Sequence, residues 1–296
     1  MDVRLAISGQ LLAKTRPLDE IADLIVGLGV DAVELWPSNL PGGETPEETQ
    51  RYERKDIAGV GDTLRSRGLA VSCLTLGFSI LDGCRERGAS YGTAALDGAV
   101  DAAVALGAPI VNCYLAGIPP ELFVAAVRPA AERAAAKGVV VVLENEAHDD
   151  SGPAATMRAI ADAVNSPGFG LQYDPCNFYH ANEEAYPAAY ETIRPHVRYV
   201  HLKGGCHYDP VLRPGDRKGG LMRDSTDRHI GYTFLPDGAV NADGVIRRLA
   251  ADGYDGYVTL EPHVDPADAL SFYEVEVPYV RGLIARHTAA GTEVRR

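Results

Sequence analysis

The chain of 296 residues is 46% hydrophobic and 23% charged, enough to bury a full core in one domain, and its formal charge of −13 argues against a polyanionic partner such as nucleic acid. Its five cysteines, Cys73, Cys84, Cys113, Cys176 and Cys206, are odd in number and form no CxxC pair, so no disulfide framework or thiolate cage is expected and reduced thiols fit a cytoplasmic location. The N-terminal MDVRLAISGQ lacks the long apolar core of a signal peptide, and no stretch approaches the roughly 18 apolar residues of a membrane span, so no membrane partner is expected.

Residues 3–7 form the first short apolar run. Pro17 then stands at a first-turn position, Leu18, Ile21, Leu24, Ile25 and Leu28 recur at helical spacing, and Gly29 marks a stop. Further strand patterns follow at 32–35, 70–76, 110–114, 139–144, 168–174, 197–202 and 256–261, separated by amphipathic stretches. Eight strands alternating with helices mean βαβ units and a parallel sheet, which predicts a single (β/α)8 TIM barrel over residues 1–296. One long stretch, about 204–241, is irregular and rich in Gly, Pro, Asp and Arg. Its length inside a compact domain predicts a loop over the active site.

Four consecutive strand patterns end on metal-binding residue types: Glu144 in VVVVLENE, Asp174 in FGLQYDPCN, His201 in VRYVHLKGG and Glu261 in GYVTLEPH. In a parallel barrel such ends lie side by side at the catalytic rim. Two Glu, one Asp and one His make a carboxylate-rich donor set without thiolate, suited to one divalent ion: Mn first, with Mg, Co or a catalytic Zn as alternatives. Strand alternation places Gln172 and Thr259 one layer beneath, Glu146 beside Glu144 and Lys203 beside His201.

Further polar and aromatic residues carry two readings each. Lys203 is either a catalytic helper at a developing oxyanion or half of a structural ion pair. Trp36, the single tryptophan, is a sugar-stacking wall or a barrel plug. Asn177 and His180, after Asp174 in DPCNFYH, reach substrate, or serve as a helix cap and a surface polar group. Glu146 and His148 sit at the substrate rim or in a solvated loop. His207 and His229 fall in the long stretch without a ligand spacing, and Arg213, Arg217, Arg223 and Arg228 there hold a phosphate or form a salt-bridged surface.

The order LEN(E), YDPCNF, VHLKGG and GYDGYVTLEPH resembles the sugar phosphate isomerase/epimerase superfamily, the xylose isomerase-like TIM barrels that include endonuclease IV, inosose dehydratase and the ketose 3-epimerases. The resemblance covers nearly the whole chain and is strongest from Val139 to His263. It implies one divalent metal, commonly Mn, held by Glu144, Asp174, His201 and Glu261, with Glu144 and Glu261 also exchanging protons with substrate. Many relatives have His where this chain has Glu146, among them the dehydroshikimate dehydratases that use that His as base, so the resemblance to that lyase is weakened at this position.

The expected function is therefore a metal-dependent isomerase or epimerase moving a proton beside the carbonyl of a small sugar or polyol-like keto compound through an enediolate. The alternative is a lyase on related chemistry, an inosose-type dehydratase or an enzyme cleaving a C-glycoside of a 3-keto sugar. An abasic-site endonuclease calls for three zinc ions and a basic face, and a non-catalytic binding barrel leaves the quartet unexplained. No dinucleotide, P-loop or serine hydrolase motif occurs. A homo-oligomer or a partner subunit is compatible with all of these.

Overall fold

Eight parallel strands close on themselves in a computed structural model of the chain, which describes residues 3–207, 221–223 and 226–293. The barrel strands are β1 (Arg4–Ser8), β2 (Ala32–Leu35), β3 (Ala70–Thr75), β4 (Ile110–Cys113), β5 (Val140–Glu144), β6 (Phe169–Tyr173), β7 (Val197–Leu202) and a last one, Tyr257–Leu260. Between β7 and that last strand the chain adds β8 (Gly204–His207), β9 (Leu221–Arg223) and β10 (His229–Thr233), so the last barrel strand is β11. Its neighbours are β1 and β7, and the order around the barrel is β1-β11-β7-β6-β5-β4-β3-β2. All eight barrel strands coincide with the runs read from the sequence, with ends shifted by a residue or two.

Burial on both faces explains why these strands read as near-continuous apolar runs. Side chains pointing outward, such as Ile7, Val33, Leu35, Val141, Leu143, Leu171, Val200 and Leu260, join the large core between sheet and helices. Those pointing inward, Ala6, Ala32, Cys73, Ile110, Val142, Tyr199 and Tyr257, form a separate small cluster that plugs the interior. The principal helices around the barrel are Leu18–Gly27, Ile57–Arg65, Ala89–Leu106, Pro120–Ala136, Ala154–Val164, Ala242–Asp252 and Ala269–Glu293. Asp56 and Asn241 cap two of them, accepting from the N–H of Gly59 at 3.0 Å and of Gly244 at 2.9 Å. Pro17 lies just before its helix rather than in the first turn, and Gly29, at φ 71°, ends it. No described helix is long and apolar enough to cross a membrane.

The stretch at 204–241 differs from the loop expected of it. It carries a three-stranded antiparallel sheet in the order β8-β10-β9, with Ile230 opposite His207 and Tyr232 opposite Gly205. Glycines at 204, 205 and 231 interrupt the side-chain alternation, which hides these strands from a pattern search. Arg213 and Arg217 lie outside the described residues.

Candidate metal centre and active site

Inward parity builds the site. Two residues beyond the interior plug, strands β1, β2, β4, β5, β7 and β11 present Ser8, Glu34, Asn112, Glu144, His201 and Thr259, all buried. Asp174 follows β6 directly and Glu261 follows β11. Glu144, Asp174, His201 and Glu261 each offer one ligand atom, and these atoms lie within 4.8 Å of one another. Nδ1 of His201 stands 3.3 Å from Glu144 Oε1 and 3.3 Å from Glu261 Oε2.

The surroundings hold each member in place. Asp174 caps the short helix Pro175–His180, its Oδ1 accepting from the N–H of Cys176 at 2.8 Å and of Asn177 at 3.0 Å, which leaves Oδ2 to face the cluster. Asn145 brackets the Asp174 backbone, accepting from its N–H at 2.9 Å and donating to its C=O at 3.0 Å. The Asn112 amide donates to Glu144 Oε2 at 2.9 Å. His201 Nε2 meets Glu34 Oε2 at 2.6 Å, and the other Glu34 oxygen accepts from Ser8 Oγ and Trp36 Nε1, both at 2.9 Å. Lys203, 2% exposed, lies 2.9 Å from Asp174 Oδ2 and 3.1 Å from Glu261 Oε2.

Electrostatics follow from this crowding. Burial works against the His201 imidazolium, but the carboxylates of Glu34, Glu261 and Glu144 outweigh it and raise the imidazole well above its usual value. Burial likewise opposes the Lys203 ammonium, and Asp174 and Glu261 more than compensate. Glu261 is held well below the carboxylate range because Lys203 and His201 overcome its burial. Glu146, partly buried beside the cluster, is pushed up by burial and by Glu144. A divalent cation fits this donor set. Nδ1 of His201 is buried without a hydrogen-bond partner among the described residues, and Oδ2 of Asp174 is buried facing the Lys203 ammonium; both atoms belong to the quartet. Three carboxylates and one imidazole, none a thiolate, are donors for a hard or borderline ion.

The structure therefore brings together all four residues read as ligands, with Lys203 among them as an ion-pair partner of two. Asn177 supports the rim, donating to Asn145 O at 2.8 Å and reaching Glu146 Oε1 at 3.5 Å. His180 lies deeper, 2% exposed, with Nε2 3.6 Å from Cys176 Sγ and its ring against Tyr232. His148 is exposed in the turn after β5 and makes no hydrogen bond or ion pair to the quartet among the described residues. His207 meets the Tyr179 hydroxyl at 2.7 Å. His229 opens β10. Of the expected second layer, Thr259 Oγ1 lies 2.5 Å from the Tyr199 hydroxyl, while the Gln172 amide, opposite Glu144 in register, has no partner among the described residues.

Trp36, 7% exposed, is tied into the site from both ends. Its indole N–H is spent on Glu34 and Ser8, and its ring lies 6.0 Å from that of Tyr114, which stands 4.8 Å from Phe78. Phe78 is 51% exposed. A cavity of about 450 Å³ lined by Trp36, Gln50, Lys55, Gly77 and Phe78 adjoins this aromatic arc. Another of about 520 Å³, lined by Tyr190, Arg194, Arg198 and Tyr254, sits at the opposite end of β7 and β11 and takes no part in the metal centre. Tyr232 of β10 stacks 4.8 Å from His263, whose Nε2 is 3.3 Å from Glu261. Sequence reasoning missed Glu34, Ser8, Asn112, Asn145 and Tyr114. Carrying the alternation argument to β2 and β4 exposes Glu34 in AVEL and Asn112 in IVNC as inward polar residues.

A family model described as a xylose isomerase-like TIM barrel matches residues 22–279. Among solved structures, a xylose isomerase-like TIM barrel protein from Mycobacterium smegmatis in complex with magnesium superposes with a TM-score of 0.73 at 18% identity, covering 97% of each chain. An L-ribulose 3-epimerase matches with a TM-score of 0.73 at 17% identity over 99% of this chain and 98% of its own. The probable 3-DHS dehydratase of petrobactin synthesis from Bacillus anthracis gives 0.67 at 15% identity over 94% and 99%. No curated protein sequence matches this one.

Proposed function

Because the chain belongs to the xylose isomerase-like TIM barrel family, we propose that it is a divalent-metal-dependent isomerase or epimerase acting on a small sugar or polyol-like keto compound. The observation that carries this reading is the convergence of four buried ligand atoms within 4.8 Å, with carboxylates from β5 and β11 on the two flanks of His201. Glu144, Asp174, His201 and Glu261 would hold the ion, Mn by preference and Mg as the nearest alternative. When bound, such an ion supplies Lewis acidity to the carbonyl and hydroxyl oxygens of a keto substrate, making the adjacent carbon more acidic.

The protein's own residues do the rest. Glu144 and Glu261 are the pair that takes a proton from the substrate carbon and returns one, to the opposite face for epimerisation or to the neighbouring carbon for isomerisation. Lys203, already paired with Glu261, keeps that carboxylate ionised and ready to accept. Asn112 orients Glu144 through its second oxygen. Trp36, Tyr114 and Phe78 give the sugar an apolar face to lie against and help exclude water. A small-molecule substrate and a cytoplasmic setting fit the acidic chain and its reduced cysteines.

One observation favours the lyase alternative. Glu146 stands beside the quartet with its carboxyl raised by burial and Glu144, as suits a separate acid for a departing group. Turnover of keto sugars and 3-keto glycosides with Mn2+ in D2O, followed by proton NMR, separates the readings. An epimerase labels the inverted carbon and an aldose–ketose isomerase the neighbouring one, whereas a lyase accumulates an unsaturated or deglycosylated product. Full turnover after EDTA treatment, with no divalent ion found by elemental analysis, refutes all three.

A further inference from the structure

Glu34 is buried with 0% exposure at the end of β2, on none of the strands that carry the quartet. Its two oxygens divide their work. Oε2 faces His201 Nε2 at 2.6 Å, and Oε1 accepts from the Ser8 hydroxyl and the Trp36 indole N–H. The scaffold behind them is equally fixed. Asn39 accepts from the Trp36 backbone N–H at 2.8 Å and donates to Gly9 O at 2.9 Å, tying the β2 exit to the β1 exit. A Cβ at position 9 would stand 2.8 Å from the Asn39 amide, so any larger residue there must displace that side chain. Tyr273 OH donates to the Ser8 carbonyl at 3.0 Å and anchors the other side.

We infer that Glu34 is a positioning residue for the metal: held by Ser8 and Trp36, it fixes His201 as the tautomer that keeps its proton on Nε2 and presents the Nδ1 lone pair to the ion. The chemistry is that of the carboxylate behind a ligating histidine, which orients the ring and raises its basicity as a ligand. Nδ1 points the right way for this, lying 3.3 Å from both glutamates of the quartet and lacking a hydrogen-bond partner among the described residues. The indole that faces Tyr114 thus also braces the metal, so one side chain serves both halves of the site. A plain buried ion pair between Glu34 and His201 is the competing account, and it assigns Glu34 no influence on metal affinity.

This inference rests on the metal-dependent reading above, and calorimetric Mn2+ titration tests the two separately because it needs no substrate. If the unsubstituted protein binds no Mn2+, the proposed function fails and this inference with it. If it binds, Glu34→Gln decides: a Gln amide can donate to Nε2, which moves the imidazole proton to Nδ1 and blocks ligation. Affinity is expected to fall roughly 10- to 100-fold. Glu34→Asp, which keeps the acceptor but shortens its reach, should recover part of the loss. Mn2+ affinity within twofold of the parent in a cooperatively folded Glu34→Gln variant overturns the inference. Should that variant fail to fold, Ser8→Ala and Trp36→Phe each remove one donor to Glu34 Oε1 and are expected to weaken Mn2+ severalfold, and parent-like affinity in both overturns it. The spectroscopic signature is the 15N imidazole spectrum of the Mg2+-loaded parent, where protonated Nε2 and unprotonated Nδ1 support the assignment and the reverse pattern refutes it.

Discussion

Replacing Glu276 by Gln should change how stability depends on pH. This carboxyl sits in the helix Ala269–Glu293 with no solvent exposure. Oε1 accepts from the Leu235 N–H at 2.9 Å, and Oε2 has no partner among the described residues. Burial pushes its pKa up to about 8 from an ordinary 4.5, against which the single hydrogen bond works only weakly. A raised carboxyl binds its proton more tightly in the folded state than in the unfolded chain. Its stabilisation is therefore fully present below pH 4.5, erodes as pH rises, and is gone above pH 8. Because each tenfold gain in proton affinity is worth about 1.4 kcal/mol, the folded state should lose on the order of 5 kcal/mol from this residue between those limits, most of it by pH 8. Gln keeps an acceptor for Leu235 and cannot ionise, so the variant lacks this slope. The assay is urea unfolding of parent and Glu276→Gln at intervals from pH 4 to 9, reading the difference in unfolding free energy so that all shared titrations cancel. A difference that does not vary with pH refutes the reasoning, because it would mean Glu276 ionises alike in folded and unfolded chains.

Glu144→Gln should lower kcat at least about 100-fold, in the range of general acid–base contributions, while the apo melting temperature stays within a few degrees of the parent. Steady-state kinetics and calorimetry check this, and retained turnover would remove Glu144 from proton transfer. Lys203→Met removes the cation paired with the buried Asp174 carboxylate and one of the two cationic groups facing Glu261, and the apo protein should lose about 3–5 kcal/mol, with Mn2+ restoring much of the lost melting temperature. An unchanged apo melting curve would count against that ion pair. Gly9→Ala drives a methyl into the Asn39 amide and should cost about 1–3 kcal/mol by denaturant unfolding, a neutral result showing that the β1 exit can yield.

Much of the site was legible because each ligand ends an apolar run. Glu144 and His201 stand out against VVVVL and VRYV, and the rule that barrel strand ends meet at one rim turns four separate segments into a cluster. Glu34 escaped notice for the opposite reason. In AVEL it sits inside ordinary alternation, and its partner His201 lies 167 residues away. Asn112 in IVNC is hidden in the same way, two positions past the inward Ile110, and emerges only when alternation is followed along every strand rather than along those ending in a ligand. The sheet of β8, β9 and β10 was missed because glycines remove the side chains that a two-residue period depends on. Lys203 was placed on the right face by alternation, but its pairing with Asp174 and Glu261 depends on three strands meeting.

The barrel order has a bearing on how such a protein can change. Glu144, Asp174, His201 and Glu261 come from β5, β6, β7 and β11, which are neighbours, so the chemistry occupies one contiguous half of the circle. Trp36, Phe78 and Tyr114 come from the exits of β2, β3 and β4, the opposite half, where no quartet member resides. Substitutions that reshape the segments after β3 and β4 can accumulate without displacing an ionisable group of the quartet. Those after β2 are constrained, because Trp36 and Glu34 brace His201 from across the mouth. Under the proposed function, diversification of substrate preference thus has two open sectors and one tethered one, and a directed-evolution library belongs around Phe78 and Tyr114 rather than Trp36.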